Sequence, residues 1–237
     1  MYKDHPVYID PEDSSSRLWR YTDFTKFISL IQRKELYFFP IDKLGDRFEG
    51  TFPRREVGHH KRSGYWGQLS KGFTAIRKNI FVSCWHYNQN ESAGMWKLYS
   101  QAGKGIAIQT TIPRFKESFK CCESSIYIGK VIYINYDTDT FYTGESKKYK
   151  AMNLGVPYIH KRNIFADERE YRAIHISNHH DPLSQPYFPV DLDVLIESIV
   201  VAPESEDWFV DLTEKLLNQF LPGKKVIRSI HDQEPFS

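Results

Sequence analysis

Apolar positions along this chain change period several times, and each change marks an element. LWRYTDF (18–24) opens as a short aromatic strand, after which Phe24, Phe27, Ile28 and Ile31 fall at helical spacing. Thr22 or Asp23 is placed to cap that helix. A strand follows over 36–39, ended by Pro40, and then a loop over 42–52 that carries Gly45, Asp46, Phe48, Glu49 and Gly50. Trp66, Leu69, Phe73 and Ile76 favour a helix over 58–78, and IFVSCW (80–85) is a largely apolar strand. Asn90 or Ser92 can cap a helix through AGMWKLYSQA that Gly103 stops, and IAIQTTI returns as a strand. Pro113 suits the first turn of a short helix to 119. IYIGKVIYINY (126–136) predicts one long strand or hairpin arm. Residues 145–163 read as helical in parts, 169–176 as a strand, VLIESIVVAP as a strand, EDWFVDLTEKLLNQFL as an amphipathic helix and KKVIRSI as a final strand. Strands outnumber helices without a regular βαβα alternation. The expected class is therefore α+β, with a mainly antiparallel mixed sheet and packed helices.

Length adds that 237 residues can bury a core without a metal or disulfide staple. One domain over 1–237 is expected, with weakly ordered tails at 1–16 and 233–237. The 32 Lys and Arg against 30 Asp and Glu leave a net charge of +2, so whole-chain charge does not indicate a nucleic-acid partner. The basic run from Arg54 to Arg62 reads as a solvated loop and helix start. Cys84, Cys121 and Cys122 show no C-x-x-C spacing, which fits a reduced compartment and a cytoplasmic protein. No apolar run approaches the ~20 residues of a membrane-spanning helix.

Candidate chemistry gathers at Glu168-Arg169-Glu170-Tyr171-Arg172. On a strand, Glu168, Glu170 and Arg172 share one face and Arg169, Tyr171 and Ala173 the other. Two carboxylates followed by a guanidinium can hold a substrate hydroxyl, support developing positive charge or bind a metal; they also suit a solvated sheet face or an internal ion pair. In the first strand Leu18, Arg20 and Thr22 face one way and Trp19 and Tyr21 the other. Arg20 suits a phosphate or carboxylate, or an internal salt bridge. Ser83 is a hydroxyl inside an apolar strand and needs a partner if buried. Asp46 and Glu49 lie on a Gly-flanked loop that could join a site. The His179-His180-Asp181 group lacks a second ligand cluster and reads as a solvent loop, so no metal is predicted.

LWRYTDF, LGDRFEGTF, FVSCWHYNQNESAGMWKLYSQAGKGIAI and FADEREYRAI together resemble the bacterial family of domain of unknown function 2971, over roughly residues 17–178. The loop departs from that family's usual F-N-D-P-F-E pattern, with Gly45 and Arg47 where Asn and Pro are usual. A weaker resemblance, to the R-S-E arrangement of ADP-ribosyltransferases, implies an ADP-ribosyltransferase-like fold with NAD as substrate and a macromolecular acceptor. In that resemblance Arg20 contacts an NAD phosphate or ribose, Ser83 orients the nicotinamide ribose, Glu170 stabilises oxocarbenium-like charge and Glu168 activates the acceptor. Arg172 joins the donor site, and Tyr21, Trp85 and Trp96 are aromatic candidates for stacking on nicotinamide or adenine, or for the core. The usual S-T-S triplet is S-C-W here. Two alternatives stand beside this reading: a non-catalytic ligand- or partner-binding domain in bacterial defence or regulation, and a metal-dependent nuclease or phosphoesterase using Asp46, Glu49, Glu168 and Glu170.

Overall fold

The computed structural model describes residues 1–13, 16–64, 66–99, 103–142, 154–177 and 186–235. Its elements run β1 (Tyr2–Lys3), β2 (Arg17–Asp23), α1 (Phe24–Arg33), β3 (Glu35–Tyr37), β4 (Phe39–Pro40), α2 (Arg54–Arg62), α3 (Trp66–Arg77), β5 (Ile80–Asn88) and α4 (Ala93–Tyr99). They continue with β6 (Gly105–Thr111), α5 (Ile112–Glu117), β7 (Ile126–Lys130), β8 (Ile132–Ile134), β9 (His160–Arg162) and β10 (Glu170–Ile176). The last are β11 (Tyr187–Pro189), α6 (Leu192–Leu195), β12 (Ser198–Val201), α7 (Asp207–Phe220) and β13 (Lys225–Arg228). This is an α+β fold. The main sheet has the order β1-β7-β10-β5-β2-β6-β12-β13, with β4 also on β5. Its pairs are antiparallel except β1 with β7 and β12 with β13.

Register decides which residues can meet. Arg172 pairs with Cys84 and Glu170 with His86, while Trp19 also pairs with His86, so these side chains share one face of the sheet. The opposite face carries Leu18, Trp85, Tyr171, Ala173, Ile106 and Ile108 into the main core, against α1, α5 and α7. Strand β2 stays paired with β6 from Arg17 to Asp23 but keeps β5 only from Arg17 to Trp19. Beyond that point the sheet splits, and β4 takes up the edge of β5 at Val82 and Phe81.

Several sequence expectations are redrawn by backbone geometry. The single helix over 58–78 is two, α2 and α3, parted at Gly64, whose φ is +77°. The long strand over 126–136 breaks at Val131: β7 joins the main sheet, and β8 turns away to pair with β9. Part of VLIESIVVAP is helical, because Asp191 caps α6 through the Val194 N–H at 3.1 Å before β12 begins. Asp23 and Ser92 cap their helices as expected, accepting from the N–H groups of Lys26 and Met95. The N-terminal segment, expected to be weakly ordered, is packed: β1 lies beside β7, Val7 and Tyr8 are buried, and the Tyr171 hydroxyl donates to Asp10 at 2.6 Å. Among the described residues no helix is long and apolar enough to cross a membrane. His179, His180 and Asp181 lie outside the described residues.

The loop after β4 is turned by Gly50, at φ +69°, where a Cβ would stand 2.9 Å from the Tyr158 ring. At Gly64 the φ is equally positive but the surrounding space is open. Gly50→Ala is therefore expected to cost about 2–3 kcal/mol and Gly64→Ala about 1 kcal/mol, read from urea unfolding of each variant. Equal losses would show that the Tyr158 contact does not constrain this loop.

Candidate active site

Glu168 does not lie on a strand. It ends a 3-10 turn (Asn163–Glu168), and Arg169 then adopts a left-handed conformation at φ 41° before β10 starts at Glu170. That bend, rather than strand alternation, brings Glu168 and Glu170 to the same partner. The Lys161 ammonium, from β9, donates to Glu168 Oε2 at 2.5 Å and to Glu170 Oε1 at 2.5 Å, and lies 3.4 Å from Glu49 Oε1. Arg172 carries the network inward. Its guanidinium binds Glu49 through two contacts at 3.0 and 3.1 Å, Glu170 Oε2 at 2.8 Å and the Tyr158 carbonyl at 3.0 Å, with no exposed surface of its own. Asp46 accepts the Phe48 N–H at 3.1 Å, which closes the loop locally, and pairs with Arg162 at 2.8 and 3.0 Å.

Four carboxylates, Asp46, Glu49, Glu168 and Glu170, thus face three cations, Lys161, Arg162 and Arg172. One negative charge is in excess, and the excess is relieved at Glu168, the glutamate that meets a single cation. Burial opposes ionisation of Glu170, yet Arg172 and Lys161 outweigh it and hold that carboxyl well below the usual range. Burial and the neighbouring Glu170 raise Glu168 to about 7 against the pull of Lys161. The two carboxyls divide into a fixed anion and a group that exchanges its proton near neutrality. Burial also pushes the Cys84 thiol up, away from a reactive thiolate, and draws His86 down.

This network lines a cavity of about 350 Å³ together with Trp19, Tyr21 and Tyr99. A second cavity, of about 760 Å³, occupies the split between β2 and β5 and is lined by Arg20, Val82 and Tyr37. Tyr21, Leu44, Gly45, Cys84 and Tyr99 border both, so the two adjoin as lobes of a cleft. Arg20 is half-buried in it, donating to Ser83 Oγ and, at 3.3 Å, to the Tyr37 carbonyl, with the Trp85 ring 5.7 Å away. Among the described residues no carboxylate pairs with Arg20. A cavity of about 880 Å³ lies elsewhere, against Arg54, Arg55, His59 and Arg62 of α2.

The structure brings Arg20, Tyr21, Asp46, Glu49, Glu168, Glu170 and Arg172 to this cleft. Ser83 is buried and lines neither lobe; it holds Arg20 and accepts the Trp85 indole N–H at 3.1 Å. Trp85 is almost wholly in the main core, 4.7 Å from Phe115, and reaches the cleft only at its wall. Trp96 is buried behind Tyr21 with its indole N–H on Glu91, so it is a support and not a stacking surface. The nuclease expectation required four carboxylates around a divalent ion; Glu49, Glu168 and Glu170 instead converge on an ammonium and Asp46 on a guanidinium. Sequence reasoning missed Lys161, Arg162 and Tyr99. Two adjacent cations in VPYIHKR with no acid beside them were the available signal for the first two.

The chain matches the family model described as Protein of unknown function (DUF2971) over residues 95–173. That span includes M-W-x-x-Y, the strand after Gly103 and E-x-E-Y-R, so the resemblance read from those motifs is found independently there. No curated protein matches the chain. Among solved structures, Thermus sp. 2.9 DarT in complex with ADP-ribosylated ssDNA superposes with a TM-score of 0.42 at 8% identity, covering 94% of this chain and 97% of that one. A likeness that weak carries no chemistry across; the cleft itself must supply it.

Removing the guanidinium of Arg172 strands Glu49 and Glu170 in the interior, and Arg172→Met is expected to cost about 3–5 kcal/mol in urea unfolding. Glu168 gives a second check. A carboxyl whose pKa rises on folding keeps its proton longer in the folded state, so its contribution to stability falls as pH rises from about 4.5 to about 7. The stability of the wild type relative to Glu168→Gln should therefore decline across that window; a flat difference would mean that Glu168 is ionised throughout.

Proposed function

We propose that the split-sheet cleft binds NAD and that the protein is an ADP-ribosyltransferase-like enzyme acting on a macromolecular acceptor. The observation that carries this reading is that adjoining cavities place a guanidinium, without a carboxylate partner among the described residues, near a carboxyl pair with divided proton affinities. The two lobes lie within the ~300–1,000 Å³ range of small-molecule sites. Arg20 offers a fixed donor fork for phosphate oxygens, and Ser83 positions that fork without touching the ligand. Cleaving the bond between ribose and nicotinamide builds positive charge on the sugar, which a standing carboxylate favours. Glu170 supplies that charge, reduced by Lys161 and Arg172. Glu168, half-buried and raised to about 7, is the group that accepts a proton from the attacking acceptor.

A second reading, a nucleotide-binding module without turnover, draws support from Glu170, because both of its oxygens already accept from cations. Under it the network serves the fold and Arg20 alone serves the ligand.

NAD consumption by the purified chain separates the two. Glu168→Gln, which leaves Lys161 with Glu170, is expected to lower kcat by about 10²-fold or more with its far-UV circular dichroism unchanged. Arg20→Gln should act chiefly on KM, and kcat/KM should rise as pH passes about 7 and Glu168 ionises. Wild-type protein that binds NAD but never consumes it would sink the transferase reading and leave the binding module.

A further inference from the structure

Strand β3 and the residues after it alternate sharply. Leu36 and Phe38 are fully buried, whereas Tyr37 and Phe39 are 37% and 40% exposed. Their rings lie on the outer side, 6.4 Å apart and nearly perpendicular, and Tyr187 of β11 stands 5.1 Å from Tyr37. All three border the 760 Å³ lobe of the cleft, beside Arg20 and Lys43. Arg33 caps the cluster from outside, 4.5 Å above the Tyr187 ring, and fixes that ring's orientation. Large aromatic rings held open to water next to a guanidinium with no counter-ion among the described residues are the two halves of a site for a flat, apolar ring joined to an anion.

The order of groups gives a direction. Arg20 donates to the Tyr37 carbonyl, and Cys84 and Tyr99, which border both lobes, lie near it; Cys84 in turn lies against Glu170. Aromatic cluster and guanidinium thus share one lobe and the carboxyl pair lies in the adjoining one, which matches a dinucleotide, where the diphosphate separates one base from the ribose at the far end. We infer that Tyr37, Phe39 and Tyr187 form the platform on which the base of a bound nucleotide stacks, with its phosphates on Arg20 and its reacting ribosyl end toward Glu168. This rests on the nucleotide reading given above. Phe39 is the most informative of the three, because β4 holds β5 through its backbone while its ring stays in the lobe.

Isothermal titration of the full chain with AMP and with ribose 5-phosphate tests the platform without requiring turnover. AMP is expected to bind at least about tenfold more tightly, since only it carries a ring to stack. Phe39→Ala should remove about that factor for AMP and leave ribose 5-phosphate within about twofold, Phe39→Trp should restore AMP binding, and Arg20→Gln should weaken both ligands. Equal affinities for the two ligands, equal losses in Phe39→Ala, or no AMP binding would overturn the platform. Ring-dependent AMP binding without NAD consumption would uphold the platform while the transferase reading fails. NAD turnover that depends on Glu168 but has the same KM in Phe39→Ala would do the reverse.

Discussion

The Lys161 ammonium is where two other stretches of chain, around Glu49 and from Glu168 to Glu170, meet β9. Glu49 arrives from the loop after β4, Glu168 from a 3-10 turn and Glu170 from the start of β10, and each has a carboxylate oxygen within 3.4 Å of the same nitrogen. Arg172 ties two of these carboxylates together from below, fully out of water. Charges this deep are tolerable only when each finds a partner, since the cost of stripping water from an unpaired ion exceeds what ordinary packing returns. The surrounding backbone is bent to meet that demand: Arg169 in a left-handed conformation between the two glutamates and Gly50 against Tyr158 behind Glu49.

The count of charges then decides where a proton sits. Four acids against three bases cannot all remain ionised at equal ease, and the least buried of the glutamates is the one that keeps its proton to near neutrality. The network leaves a proton to be exchanged on the wall of a cleft, and the cleft exists because β2 and β5 part after Trp19. Where the strands part, Arg20 is held in the gap by Ser83 and the Tyr37 carbonyl, with no carboxylate paired to it among the described residues. Site and split are thus one feature of the sheet.

Much of this was legible in the sequence. Period-2 and period-3.6 patterns gave the α+β class, the antiparallel bias, the helix caps at Asp23 and Ser92, and the marked charge pattern from Glu168 to Arg172. Those are local properties: a side chain's hydrophobicity and a cap's hydrogen bond depend on neighbours a few residues away. The same local logic set Glu168 and Glu170 on one strand face, and there it failed, because a left-handed residue between them cannot be read from charges. The aromatic candidates likewise divided only on folding: Tyr21 reached the cleft, Trp96 became its backing, and Tyr99 and Tyr37 entered unannounced.

What the sequence by itself determined is the inventory: most of the strands and helices, their apolar faces, and the acids and arginines that the fold could bring together. Only the tertiary structure decided the pairing. Lys161 lies 112 residues after Glu49 and Arg172 lies 123 after it, and no rule of spacing ties an ion to a partner across such separations. Coulombic attraction acts through space, and in a low-dielectric interior its strength and its consequence for a proton depend on distances of a few ångströms that exist only once the sheet has closed its register.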